Sequence, residues 1–138
     1  MIRDERGSAS IEAVVVGPAV VLMILLVVFG GRVAFAHQTV QEVAADTARA
    51  ASLARTQAQA NTNAAAALQA GFDQQLPCAD HDLDLDLGGF SRPVGTPASV
   101  VATVTCRVAV ADLGLPTPGV ITISATMTSS LDTYRERR

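Results

Sequence analysis

The chain has 138 residues, a formal net charge of −3, 49% hydrophobic side chains, only 4% aromatic ones and no Trp. That length allows one membrane anchor and one small domain, and the charge gives no basic field for nucleic acid. With so few aromatic residues, a soluble core has to be built from Val, Leu, Ile and Ala, and a domain of about 60 residues built that way is marginal without a staple.

Met1 to Gly7 is a short polar leader in which Arg3 and Arg6 balance Asp4 and Glu5. From Ala13 to Gly31 there are 19 residues without a charge, mostly Val, Leu, Ile and Ala, bounded by Glu12 and Arg32. At about 1.5 Å per residue, such a helix just crosses a hydrocarbon core of about 30 Å, which predicts a membrane-inserting segment. Glu12 stands at the edge of that run. An ionised carboxylate there costs on the order of 2–3 kcal/mol unless partnered, so it is a functional candidate. Pro18 falls within the first two turns of the apolar helix, where it removes a backbone bond and favours a kink.

A Gly, four small or apolar residues, a Glu and then a long apolar helix (Gly7-Ser8-Ala9-Ser10-Ile11-Glu12 and onward) resemble the processing site of type IV pilin-like precursors. Pro18, Phe29-Gly30-Gly31-Arg32 and the Gln41-to-Ala51 stretch make the closer resemblance one to TadE/TadF-like minor pilins of tight-adherence (Flp) pili. It covers about the first 50 residues. The resemblance implies cleavage after Gly7 by a prepilin peptidase, leaving Ser8 as the new N-terminus and Glu12 as the fifth residue. It further implies that Glu12 meets the α-amino group of a neighbouring subunit, that Pro18 bends or loosens the helix in the fibre, and that the partners are other pilin subunits and the pilus assembly machinery. The precursor is then a single-pass membrane protein, its N-terminus cytoplasmic and its C-terminal domain exported.

A second reading of the same residues is a secretory signal peptide with Ala34-Phe35-Ala36 as an A-x-A site, releasing a small binding domain that begins at His37. A third is an unprocessed single-pass envelope protein. The leader's lack of net positive charge, Glu12 and Arg32 weigh against the signal peptide.

After Arg32 the helix is expected to continue: Val33, Ala36, Val40, Val43, Thr47, Ala50 and Ala54 recur in steps of three and four, a narrow stripe of small side chains. That stripe could pack on the chain's own domain or let helices of neighbouring subunits approach, and periodicity does not separate the two. Asn63 suggests the end of one helix and the cap of another, closed by Gly71, with Pro77 ending helical territory. The expected divisions are a leader (1–7), a transmembrane and assembly helix (8–31), a helix extension (32–70) and a β-rich exported domain (71–138).

Beyond Cys78 the period changes to two. Leu83, Leu85 and Leu87 alternate with Asp82, Asp84 and Asp86, predicting a strand with an apolar and an acidic face. Residues 99–110 and 120–127 are β-rich runs joined by Leu113-Gly-Leu-Pro-Thr-Pro-Gly119, a turn-rich connection suited to a hairpin. The expected fold is α+β and pilin-like: a long N-terminal helix, then a three-stranded, mainly antiparallel sheet. The tail from Tyr134 is charged. Cys78 and Cys106, both beyond the membrane segment, are expected to form a disulfide, the alternative being two free buried thiols.

The remaining chemistry is thin. A calcium loop starting at Asp82 would need Gly and a carboxylate where Leu87 and Pro93 stand, so the aspartates read as a solvated strand face. His37 and His81 are far apart in sequence, no nucleophile elbow occurs, and Gly88-Gly89 follows a strand without a helix behind it. No catalytic residue, metal, cofactor or small-molecule substrate is expected.

Overall fold

The computed structural model describes residues 6–75, 78–114, 117–134 and 136, with only the backbone described at 6–13, 74 and 75. Residues 1–5 of the leader, Pro77 and most of the charged tail lie outside the described residues. The elements are a 47-residue helix α1 (Arg6–Ser52), a 19-residue helix α2 (Gln57–Gln75) and three strands: β1 (Asp80–Asp86), β2 (Ala98–Ala109) and β3 (Val120–Leu131). A short 3-10 turn, Gly88–Ser91, lies between β1 and β2. The strands form one antiparallel sheet in the order β1-β2-β3, so the α+β architecture read from the sequence is the one observed.

Alternation sets the two faces of the sheet. On β2, Val100, Ala102, Val104, Cys106 and Val108 are buried on the inner face, where Ile123, Ala125 and Leu131 of β3 join them. Leu83 and Leu85 of β1 stand opposite Val104 and Ala102 and complete that face. The outer face carries Asp80, Asp82, Asp84 and Asp86, then Thr103, Thr105 and Arg107, then Thr122, Ser124, Thr126 and Thr128. Hydroxyls bridge the central and outer strands at Thr103–Thr126 (3.0 Å) and Thr105–Ser124 (3.2 Å). Asp80 and Arg107 form an ion pair at one end, but both are largely exposed, so it adds little stability.

The two helices cover the inner face as an antiparallel hairpin. α1 buries Ala36, Val40, Val43, Ala44, Thr47, Ala48 and Ala51, and α2 buries Ala60, Ala64, Leu68 and Phe72. The small side chains let the backbones come close. At Gly71 a Cβ would lie 2.7 Å from Cγ2 of Val43, so this position holds α2 against α1. Leu68 and Phe72 reach the cluster of Val104, Cys106 and Ile123, and Ala60 and Ala64 join Phe90, Val100 and Leu131 in a second one. Burial of this kind contributes about 25 cal/mol per Å² of apolar surface, and here it is drawn almost wholly from aliphatic groups.

One sequence expectation is corrected here. The break between the two helices is not at Asn63. α1 ends at Ser52, the chain turns through Leu53–Thr56, and α2 runs on through Asn63 and Gly71 to Gln75. The physical reason is a cap at Thr56. Its Oγ1 accepts the Gln59 N–H (3.1 Å), an amide that the helix start leaves free, while Gln59 Oε1 reaches back to accept the Arg55 N–H just before the cap (3.3 Å). Asn63 instead donates from Nδ2 to the Ala50 carbonyl (3.5 Å), tying the two helices together.

Cys78 and Cys106 are joined, with their Cα atoms 5.6 Å apart. The bridge fixes the segment leaving α2 to the buried face of the central strand.

Candidate functional site

The structure divides α1 into two parts with opposite surroundings. From Ala36 onward its small-residue stripe is buried in the chain's own domain; from Val14 to Val28 no side chain is buried. Val14, Leu22, Met23, Leu26 and Val27 are each between 65% and 73% exposed, as on a helix standing alone. This is the one helix, among the described residues, that is long and apolar enough to cross a membrane. The stripe question left by periodicity is thereby answered: Ala36, Val40, Val43 and Thr47 serve the intrachain core, with Val33 packed at its edge.

The junction lies at Phe29–Phe35. Phe29 and Val33 are half-buried and pack against the core cluster. Arg32 Nη1 donates to the Asp112 carbonyl (3.3 Å), in the connection between β2 and β3. That connection turns on Gly114, whose φ of +96° suits glycine, and a Cβ there would come within 3.3 Å of the Arg32 guanidinium. Leu113 is buried in the core, so the β2–β3 connection is an anchor for α1 as well as a turn. A groove of about 370 Å³ runs between helix and connection, lined by Val28, Gly31, Arg32, Phe35, Asp112 and Leu113. At the far end, Ser52 and Ser129 share a hydroxyl–hydroxyl bond (2.9 Å). α1 therefore runs beside β3 in the same direction, from Arg32 near the start of β3 to Ser52 near its end.

Gly7, Ser8 and Glu12 lie on the first turns of α1, and their side chains are outside the described residues. Pro18 is taken into α1 without interrupting it. Gly17, Gly30 and Gly31 have open space where a Cβ would stand, so no intrachain contact demands glycine there. Glycine in a helix interior costs about 1 kcal/mol relative to Ala, and at Gly30 and Gly31 packing within this chain gives nothing in return.

The other candidate groups stay apart. His37 is exposed on α1, while the His81 ring lies 5.3 Å from that of Phe72. Among the described residues no three His, Cys, Asp or Glu side chains converge as metal ligands would. Asp86 accepts the Gly88 N–H (2.8 Å), a local turn contact. What sequence reasoning missed is the Arg32–Asp112 link and the buried Leu113. The latter's only sign was an apolar residue in a turn-rich segment.

Residues 7–49 match the family model of TadE-like proteins. The match takes in the free apolar part of α1 and most of its packed part, and ends before α2 and the sheet. No curated protein and no solved structure matches the chain.

Proposed function

We propose, starting from this TadE-like N-terminal helix, that the chain is a minor pilin or pseudopilin taking part in assembly of a tight-adherence pilus. The observation that carries the reading is the division of α1. One continuous helix of about 70 Å holds a folded domain at one end and leaves an unburied apolar rod at the other. Such a rod needs lipid or other helices around it. Stored in the membrane as a single-pass precursor, it can exchange lipid for neighbouring subunit helices when the subunit is drawn into a fibre, and the sheet domain then faces outward. The bare positions at Gly30 and Gly31 fit close approach by a partner helix. In this reading the prepilin peptidase cuts between Gly7 and Ser8 on the cytoplasmic side, Glu12 pairs with a neighbour's new amine, and Pro18 gives the helix its local play.

The signal-peptide alternative is disfavoured by Ala36. It is fully buried on α1, and a cut after it would remove Phe29 and Val33 from the core. N-terminal sequencing of the cell-associated protein separates the readings: Ser8 for peptidase processing, His37 for release, Met1 for an uncut anchor. Gly7→Leu should leave a full-length, membrane-held precursor. Efficient processing of that variant would defeat the pilin-type assignment.

A further inference from the structure

The two edges of the sheet are built differently. β1, seven residues long, places Asp80, Asp82, Asp84 and Asp86 along the outer face. β3, twelve residues long, has no charge and no Pro, and its outer row is Thr122, Ser124, Thr126, Thr128 and Ser130. Proteins commonly protect a free edge with charges, proline or a bulge, and β1 is so protected against a second β1. β3 has none of these devices. Among the described residues, no backbone bond from outside the sheet reaches it. Ile121, Met127 and Ser129 on its inner face are only half-buried, whereas the even-numbered residues 100–108 of β2 are buried throughout.

We propose that the free edge of β3 pairs in parallel with β1 of a second copy of this chain, so that sheets join edge to edge with every helix on the same side. The inference rests on the membrane-anchored reading above, because a common membrane fixes neighbouring copies in one orientation. α1 and β3 run the same way, and β1 is parallel to β3 because each is antiparallel to β2. Co-oriented neighbours therefore bring β3 of one beside β1 of the next with matching inner and outer faces. Two β3 strands cannot do this: turning one copy about an axis along the strand throws its helices to the opposite side of the joint sheet. Two β1 strands would set one row of aspartates against another. The chemistry agrees with the geometry. Hydroxyl rows on β3 can donate to the carboxylates of β1, and such charge-assisted bonds are about twice as strong as neutral ones. Asp82 and Asp84 have no partner among the described residues that would compete. A seven-residue strand offers about 23 Å of ladder.

The test uses the full-length protein in its own membrane, with a benzophenone side chain replacing Thr128 and, as a control, Thr103 on the central strand. Irradiation should give a dimer from position 128 only, with the link mapped to residues 80–86 of the second copy. Ser124→Glu with Thr126→Glu should abolish that dimer by placing like charges together. Adding Asp82→Lys and Asp84→Lys should restore it, which a misfolded domain could not do. No link, a link from β3 to β3, a link to a different protein, or failure of the lysine pair to rescue would each overturn the proposal. Presence of the chain in sheared pili is read separately. A β3-to-β1 link in a chain that never enters pili supports the edge pairing and removes the pilus reading; a pilus-borne chain without the link does the reverse.

Discussion

Gly71 is the point where the helical hairpin can be tested most sharply. A Cβ added there would stand 2.7 Å from Cγ2 of Val43, 3.2 Å from its Cγ1 and 3.4 Å from its Cβ. Val43 is buried and β-branched, so its methyl groups have little rotamer freedom with which to withdraw. Two terms oppose each other in Gly71→Ala. Replacing a mid-helix Gly gains about 1 kcal/mol of helix propensity, while forcing a methyl into a packed contact costs about 1–3 kcal/mol. The expected net change is a loss of roughly 0–2 kcal/mol. The decisive measurement is the double-mutant cycle with Val43→Ala. That change removes the clashing methyls, so Gly71→Ala should turn from neutral or harmful to stabilising, with a coupling of about 1–3 kcal/mol. Pulse proteolysis in urea on the full chain in detergent reads the domain's opening without relying on the single Tyr. If Gly71→Ala stabilises the wild type by the full propensity term and adds independently to Val43→Ala, α2 does not approach α1 as described.

Three further outcomes are expected. Thr47 is fully buried, and among the described residues Oγ1 has no partner; Thr47→Val should stabilise the domain by about 1 kcal/mol by removing an unsatisfied hydroxyl, and a loss in the same proteolysis assay would mean that the hydroxyl is bonded. Opening the Cys78–Cys106 bridge, whose cysteines lie 28 residues apart, should destabilise the domain by roughly 3–4 kcal/mol in the chain-entropy treatment, read by urea midpoints with and without reductant; two freely alkylated thiols in the exported protein would refute the bridge. Glu12→Gln should insert and be processed normally yet be poorly recovered with its pilus partners, and wild-type recovery would rule out the pairing role.

The parts of this fold legible in the sequence are those written as period. Leu83, Leu85 and Leu87 against the aspartates gave β1 its faces, and the valine-rich runs gave β2 and β3. The step pattern from Val33 to Thr47 marks a stripe of α1, and the structure shows that it packs on the chain's own domain. Asn63 misplaces the helix break, because residue type alone does not separate a capping amide from one that bonds across to a neighbouring helix. The better signal was the spacing Thr56-Gln-Ala-Gln59, a side-chain acceptor followed three residues later by one that reaches back. Gly71, expected to close a helix, instead lies mid-helix where a Cβ would strike Val43 of α1, since both roles demand the same missing Cβ. The Arg32–Asp112 link spans 80 residues, and no local pattern encodes it.

The same device, small and β-branched residues at helical spacing, serves two ends along α1, and the change falls within a few residues. Beyond Val33 the side chains of Ala36, Val40, Val43 and Thr47 are buried within the chain's own domain. From Val14 to Val28 the same kind of surface is exposed and meets nothing among the described residues. Arg32 marks the change chemically: its guanidinium reaches the β2–β3 connection, and a charged head of this kind belongs at the water side of a membrane boundary. The domain is thus gripped immediately beyond the apolar rod, by Phe29, Val33, Arg32 and Leu113, with no free linker between them. Within the proposed fibre, a junction held by these contacts has a mechanical consequence. Any rotation or lift imposed on the rod is passed directly to the sheet, and the angular position of one helix among its neighbours sets where each sheet edge points.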